Sequence, residues 1–229
     1  MQGILLVDKP AGWTSFDVVN YVRRIVATYE DKKPKHCKVG HTGTLDPFAT
    51  GLLVLLIGKE YTRQAQGLSK VDKTYEVTMR LGATSTTGDP EGEITVVAGQ
   101  TPTKAAVIGV LDQFRGQIEQ VPPAYSAIKV NGQRAYKLAR AGQAVVMEAR
   151  PATVNRLEVT AYDYPLVTYT ADVGSGTYLR TLSEDIAKAL GTGAYTTTLR
   201  RTRAGRYNIE DACLVEGLDP EKILERLLV

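Results

Sequence analysis

One carboxylate in this chain lies in a setting that suits chemistry. Asp46 stands directly before Pro47 in the segment G-H-T-G-T-L-D-P-F-A-T-G, which runs from Gly40 to Gly51. An Asp-Pro pair favours a turn, because the residue before a proline is driven out of the α region, and glycines let backbone approach a ligand closely. The segment therefore predicts a carboxylate held on a stiff loop, as a site residue would be; the alternative is an ordinary surface turn.

The neighbours of Asp46 strengthen the first interpretation. His41, one of two histidines in the chain, precedes it by five residues, and is either a second site residue or a polar side chain satisfied in the core. The apolar run 52–57, L-L-V-L-L-I, follows the loop at once. A run of this kind predicts a buried strand or helix, which would hold the loop in place.

Basic side chains fall in three groups, two of them beside tyrosines. Lys and Arg neutralise phosphates, and Tyr can stack on unpaired bases. The groups therefore predict contact with nucleic acid, against the simpler alternative of solvated faces. They are Lys32, Lys33, Lys35, His36 and Lys38; Lys129, Arg134, Lys137 and Arg140, with Tyr125, Tyr136 and Asn131; and Arg200, Arg201, Arg203 and Arg206, with Tyr207.

Composition is that of an ordinary globular protein. The chain has 229 residues, 43% hydrophobic and 23% charged, with a net charge of +3, which is compatible with a polyanion without requiring one. Two cysteines, Cys37 and Cys213, suggest neither a zinc site nor a secreted disulfide scaffold. With no apolar run of signal-peptide or membrane-spanning length, we expect a cytoplasmic protein that does not engage membranes.

Strands and helices are mixed without a strict β-α-β alternation, which predicts an α+β fold. The predicted strands are 3–7, 73–81, 153–163 and 167–173, with a basic strand and loop at 196–207; the predicted helices are 17–27 (capped by Thr14 or Ser15), 103–114, 134–140, 178–190 and 219–228. Alternating apolar residues support the strands, and cap residues and apolar periodicity support the helices.

Taken together, the motifs resemble the TruB family of tRNA pseudouridine synthases. The segment containing Asp46 is similar to the catalytic motif of the family. Five further motifs follow its order: G-I-L-L-V-D-K-P at 3–10, K-T-Y-E-V at 73–77, P-P-A-Y-S-A-I-K-V-N-G at 122–132, G-T-Y-L-R-T-L at 176–182, and the segment from Gly193 to Thr202. Six motifs in order are far more specific than any one of them, and they cover nearly the whole chain.

The resemblance implies a fold and a reaction. The fold would be the pseudouridine synthase fold, with a mixed, mainly antiparallel central sheet, flanking helices and an RNA-binding insertion at about 122–152. The chain would form a single catalytic domain, 1–229, ending in a short helical tail at 212–229. The reaction would convert the T-loop uridine of tRNA (position 55) to pseudouridine by flipping the base out of its stack. This isomerisation needs no cofactor and no metal.

The resemblance also assigns roles to residues. Asp46 would be the nucleophile, attacking either the ribose or the base. His41 would fill the gap left by the flipped base, Arg180 would pair with Asp46 and keep it ionised, and Lys9 with Pro10 would shape the site. The expected substrate-binding residues are His41, Tyr75, Tyr178, Arg180 and Leu199, and the expected RNA-binding residues are Lys129, Arg134, Lys137, Arg140, Arg200 and Arg201.

The expected partner is the T-arm stem-loop of tRNA, bound by a monomer. Family members typically continue into a small PUA or PUA-like domain, whereas this chain stops about eighteen residues after Asp211, which predicts weakened tRNA affinity more than altered chemistry. Two alternatives compete: a catalytically silent tRNA-binding module, which would not need Asp46, Tyr75 and Arg180 together, and a glycosidase, which is disfavoured because no second carboxylate accompanies Asp46 in its motif.

Overall fold

The computed structural model describes residues 1–126, 128–130 and 132–229; Ala127 and Asn131, both within the predicted RNA-binding insertion, lie outside the described residues. The described strands are β1 (Gly3–Lys9), β2 (Val39–His41), β3 (Thr50–Ile57), β4 (Lys73–Leu81), β5 (Ala83–Ser85), β6 (Ile94–Val96), β7 (Gly116–Gln120), β8 (Lys129–Val130), β9 (Gln133–Arg134), β10 (Arg150–Asp163), β11 (Leu166–Val173), β12 (Ala194–Ala204), β13 (Tyr207–Asn208) and β14 (Cys213–Leu214). The described α-helices are α1 (Ser15–Tyr29), α2 (Lys59–Thr62), α3 (Ala65–Ser69), α4 (Lys104–Leu111), α5 (Ala135–Arg140), α6 (Leu179–Ala189) and α7 (Pro220–Arg226).

The chain divides into two compact units. The first comprises Met1–Tyr75 and Leu199–Val229, and the second Glu76–Thr198. The prediction of a single catalytic domain stays a prediction.

In the first unit the strand order is β14, β1, β3, β12. β1 and β2 pair antiparallel with β3, while β14 pairs with β1, and β12 with β3, in parallel. Alternate residues of β3 enter two separate cores. Leu53, Leu55 and Ile57 pack with α1 and α7 on one face, and Leu52 and Val54 pack with residues of α2, α3 and β13 on the other. Burial on both faces explains the uninterrupted apolar run at 52–57, and identifies it as a strand.

α1 is fixed by its cap and by its apolar face. The Thr14 hydroxyl accepts a hydrogen bond from the Asp17 amide, and the Asp17 carboxylate accepts one from the Thr14 amide, which makes a capping box. Val18, Val22 and other residues at helical spacing are buried against the sheet. The first residue of α1, Ser15, therefore has a fixed position, and the site depends on it.

In the second unit the strand order is β4, β11, β10, β7, with β10 antiparallel to both β11 and β7. α6 buries Leu182 and Ile186, and the hydroxyls of Tyr169 and Ser183 lie 2.8 Å apart between β11 and this helix. Burial raises the pKa of Tyr169 far above its usual value, so the phenol stays neutral.

The α+β expectation with a mixed, mainly antiparallel sheet and flanking helices is confirmed. The strand at 73–81 has the predicted bounds, and Thr14 is the cap of the first helix. The predicted helix 103–114 ends earlier as an α-helix, at Leu111, and continues as a 3₁₀ turn over Asp112–Phe114. The predicted helix 178–190 is one residue shorter at each end, because Tyr178 is its N-cap and Leu190 its C-cap.

Candidate active site

Asp46 lies in the connection between two paired strands. β2 and β3 run antiparallel with His41 opposite Leu55, and the chain from Thr42 to Ala49 joins them. Within this connection the Ala49 amide donates to the Asp46 carbonyl at 3.1 Å, which closes the predicted turn at Asp46-Pro47. We call residues 42–49 the Asp46 loop. Asp46 itself is half-buried.

The residues on either side of Asp46 are tied to the start of the chain. The Ser15 hydroxyl accepts from the Leu45 amide at 2.8 Å and donates to the Leu45 carbonyl at 3.1 Å. The Lys9 ammonium, wholly buried, donates to the Pro47 carbonyl at 3.2 Å, and the Gly12 amide donates to the same carbonyl at 2.8 Å. These contacts fix the backbone at Asp46; the expected part of Lys9 in shaping the site stays a prediction.

A buried arginine holds the outer flanks of the loop. Arg201 donates through Nε to the Leu52 carbonyl at 2.7 Å and through Nη2 to the Gly43 carbonyl at 3.0 Å. Only glycine fits at position 51, because its φ is +102° and a Cβ there would stand 2.3 Å from the Arg201 carbonyl oxygen. Gly51 thus permits close approach of backbone to backbone, where the sequence predicted approach to a ligand.

His41 ends β2 at the entrance to the Asp46 loop. Burial lowers the pKa of its imidazole, and the charge of Arg201 lowers it further, so the ring is neutral at pH 7. Its Nδ1 is buried and has no hydrogen-bond partner among the described residues. The structure therefore presents a neutral ring whose inner nitrogen is unsatisfied, a costly arrangement in an ordinary core.

Two of the expected substrate-binding residues, one aromatic and one aliphatic, are buried in the first unit. Tyr75 on β4 and Leu199 on β12 are each 7% exposed.

Lys73, two residues before Tyr75, donates to the Ser69 and Val71 carbonyls at 3.0 and 2.8 Å. Burial, then the charge of Arg201, lowers the pKa of Lys73 to about 8.

Arg180, at the start of α6 in the second unit, is almost wholly buried and forms an ion pair with Asp89 at 3.0 Å. It also donates to the carbonyls of Thr87 at 2.6 Å and Tyr125 at 3.0 Å. Asp89 is not among the site residues that the sequence indicates. The signal that could have found it is the Asp-Pro pair at 89–90, which repeats the Asp46-Pro47 pattern. The pairing of Arg180 with Asp46 stays a prediction.

Tyr178 is held by a buried glutamine. Its amide donates to Gln120 Oε1 at 3.0 Å, and Gln120 Nε2 donates to the Tyr178 carbonyl at 3.2 Å. Both residues line a cavity of about 230 Å³ in the second unit, together with Arg150 and Ile128 among others. Gln120 is 2% exposed and holds the backbone of Tyr178 in position. Nothing around this single polar residue in the sequence indicates the contact.

The predicted RNA-binding residues fall into two environments. In the insertion, Lys129, Arg134, Lys137 and Arg140 are exposed. Lys129 and Arg134 are register partners across the β8–β9 hairpin, which places two cationic residues opposite one another.

The two arginines of β12 differ from that group. Arg200 forms a bidentate pair with the Asp8 carboxylate at 2.7 and 3.1 Å, whereas the neighbouring Arg201 is buried against the Asp46 loop.

Across residues 1–126, 128–130 and 132–229, no group of three or more His, Cys, Asp or Glu side chains is placed to hold a metal ion. Within the same part of the chain, no helix is both long enough and apolar enough to cross a membrane.

The fold and the site define a pseudouridine synthase. A family model described as TruB family pseudouridylate synthase (N terminal domain) matches residues 30–179, and one described as tRNA pseudouridylate synthase B C-terminal domain matches residues 180–226. The chain belongs to the TruB family, and its class of reaction is the isomerisation of uridine to pseudouridine.

Curated relatives and solved structures agree with this. The chain is 46% identical over 96% of its length to tRNA pseudouridine synthase B of Burkholderia mallei, and 44% identical over the same share to that of Pseudomonas aeruginosa, spanning 70% and 69% of those proteins. A chain in a Cbf5–Nop10–Gar1 complex matches with a TM-score of 0.70 and 30% identity over 93% of this chain. A chain in an H/ACA RNP bound to a substrate RNA containing 2'-deoxyuridine matches with a TM-score of 0.68 and 27% identity over 94%. This protein spans 52% of each of those two chains.

Proposed function

We propose that this pseudouridylate synthase acts on tRNA and converts the T-loop uridine, position 55, to pseudouridine, with Asp46 as its nucleophile. The observation that carries the proposal is the anchoring of the Asp46 loop, in a member of the TruB family, by contacts to the residues on both sides of the carboxylate. A carboxylate whose backbone is held on both sides keeps a fixed position, as a nucleophile requires, whereas a solvated turn residue does not.

The reaction is redox-neutral and its bonds balance. The bond between ribose C1′ and uracil N1 breaks, the uracil turns, and a bond between C1′ and C5 forms. The C5 proton leaves and N1 gains a proton. A carboxylate can hold a covalent adduct with either the sugar or the base while the ring turns. Asp46 supplies that carboxylate, and the choice between ribose and base is open.

His41 is the residue that fills the place of the flipped base. Extrusion of a base costs a few kcal/mol of lost stacking, and a neutral imidazole enters a base stack at a lower desolvation cost than a charged one. The lowered pKa of His41 keeps the ring neutral at pH 7.

The other members of the site are assigned from the family resemblance. Tyr75 packs against the flipped uracil and assists removal of the C5 proton, while Tyr178 and Leu199 line the pocket. Arg180 keeps Asp46 ionised by lowering its pKa. Arg180 is preorganised for a fixed role, because Asp89, Thr87 and Tyr125 already orient its guanidinium.

RNA binding follows from exposed cations. The exposed Lys129, Arg134, Lys137 and Arg140 contact phosphates of the T arm. Arg200, half-buried and paired with Asp8, contributes from β12. A monomer acting in the cytoplasm is the simplest form of such an enzyme.

The test is incubation of unmodified tRNA transcript with the protein, followed by mapping of each pseudouridine along the RNA. We expect one new pseudouridine, at position 55, and none in a transcript carrying cytidine there. Modification at another position would refute the proposed target, and tight tRNA binding without any pseudouridine would support a silent binding module.

A further inference from the structure

Arg201 occupies an unusual place for a charged residue. It lies on β12 in parallel register with Gly51 of β3, and only 2% of it is exposed. Arginine is almost never buried this deeply unless its donors are satisfied. Its described partners are two backbone carbonyls, those of Gly43 and Leu52, so the guanidinium serves the main chain.

Those two carbonyls flank the nucleophile. Gly43 precedes Asp46 by three residues and Leu52 follows it by six. One planar guanidinium therefore spans the Asp46 loop between its two flanks. Ser15 and Lys9 hold the immediate neighbours of Asp46, whereas Arg201 ties the start of the loop, at Gly43, to β3 at Leu52.

The guanidinium also packs against the loop. A Cβ at Gly43 would lie 3.4 Å from Arg201 Nη1 and 3.4 Å from Lys73 Cε, so the glycine backbone rests on these two cationic side chains. Lysine could not reproduce the arrangement, because an ammonium is a point donor and lacks the rigid fork that reaches two acceptors at once.

We propose that Arg201 is a positioning residue for the reaction, whose guanidinium fixes the flanks of the Asp46 loop and thereby the place of the Asp46 carboxylate. The inference rests on the proposed function, since it assumes that Asp46 is the nucleophile. It replaces a phosphate contact as the role of Arg201, because a side chain this buried and already bonded to the loop has little surface for RNA.

The experiment begins with the wild-type protein, whose release of the C5 proton from tRNA uridine establishes the activity by itself. Arg201→Lys is then compared with Arg23→Lys, a matched control in which the arginine also donates to a backbone carbonyl, that of Val39 at 3.0 Å. For each protein we would measure kcat, KM, tRNA affinity and the salt dependence of that affinity.

If Arg201 positions the loop, Arg201→Lys lowers kcat on the order of 10²-fold, the loss typical of a nucleophile displaced by about 1 Å. KM and the salt slope stay at wild-type values, and Arg23→Lys keeps wild-type kcat. A raised KM with a flatter salt slope at unchanged kcat would establish a phosphate contact and overturn the proposal. An inactive wild-type protein would instead refute the proposed function.

A second measurement covers the case in which Arg201→Lys lacks a cooperative thermal transition. Arg201→Ala would be assayed with millimolar guanidinium ion and, separately, with methylammonium ion. Recovery of kcat with guanidinium alone supports a fork that bridges two carbonyls. Equal recovery with both cations, or recovery with neither, would count against the positioning role.

Discussion

The Ser15 hydroxyl is bonded to both backbone groups of one residue, Leu45: it accepts from the amide at 2.8 Å and donates to the carbonyl at 3.1 Å. Both groups lie in the interior. The first residue of α1 thus fixes Leu45, the residue directly before the proposed nucleophile. The capping box formed by Thr14 and Asp17 stabilises the start of the helix, and so the position of Ser15.

Ser15→Ala should weaken both stability and catalysis. Removal of the hydroxyl leaves two buried backbone groups unsatisfied, at roughly 1–3 kcal/mol each, and releases Leu45. We expect a lower free energy of unfolding in urea and a lower kcat with little change in KM. Ser69→Ala, which removes an exposed hydroxyl, is the control; equal behaviour of the two variants would contradict the anchoring role.

Asp46→Asn should bind tRNA and form no pseudouridine above background. The amide keeps the size of the side chain but removes the nucleophilic oxygen anion. The measurement is single-turnover release of the C5 proton with enzyme in excess, after mass spectrometry has excluded deamidation back to Asp. Asp31→Asn, an exposed site where the φ of 48° suits asparagine, makes the same charge change and should leave the rate intact. Substantial turnover by Asp46→Asn would refute the nucleophile assignment.

His41→Ala should slow the reaction without abolishing it. Help with base flipping supplies only part of an unstacking cost of a few kcal/mol, whereas a nucleophile cannot be replaced. The same proton-release assay would report a reduced rate, while the exposed His36→Ala keeps the wild-type rate. Complete loss in His41→Ala, in a protein that still binds tRNA, would place the imidazole in the chemistry itself.

Replacement of Lys129 and Arg134 together by Ala should weaken tRNA binding about equally across tRNA sequences. The salt dependence of binding should flatten by about one unit of slope for each lost phosphate contact. The matched control is Lys104→Ala with Lys188→Ala, which removes the same charge from exposed helical sites. If both double variants bind alike, the hairpin cations are only a solvated face.

Lys73 should make stability depend on pH in alkaline solution. Its folded-state pKa of about 8 lies below the unfolded value of about 10.4, so between these values the unfolded chain binds the extra proton. Stability from this group therefore rises with pH across that window, by up to about 1.4 kcal/mol per pH unit, and is constant below it. Urea unfolding of wild type and Lys73→Met from pH 7 to 10 gives the difference; parallel curves would contradict the lowered pKa.

The sequence predicts local structure well where burial alternates regularly. In the strand at 73–81 every second residue is buried, and alternation is visible without any knowledge of partners. The run at 52–57 left strand and helix open, because a strand buried on both faces shows no period. Only the structure shows that both faces of this run pack into hydrophobic cores, which identifies it as a strand.

Contacts in the site between residues that are far apart in the sequence could not be predicted from the sequence. Asp89 is 91 positions from Arg180, and although it begins an Asp-Pro pair, nothing near it in the sequence indicates which residue it pairs with. Arg200 and Arg201 look alike in a basic segment, yet adjacent strand residues face opposite sides, so one pairs with Asp8 near the surface and the other is buried.

The two-sided burial of β3 also bears on how enzyme and RNA adapt to one another. A loop that rises from a strand enclosed by two cores, and whose base is closed by Arg201, has little freedom to fold over an incoming strand. We therefore expect the conformational change of recognition to occur mainly in the nucleic acid, which would unstack its base and reshape its own loop around the fixed Asp46 loop. RNAs with pliable loops are accordingly the substrates that we expect to be modified fastest, because the rate of productive binding would depend on how readily the RNA opens.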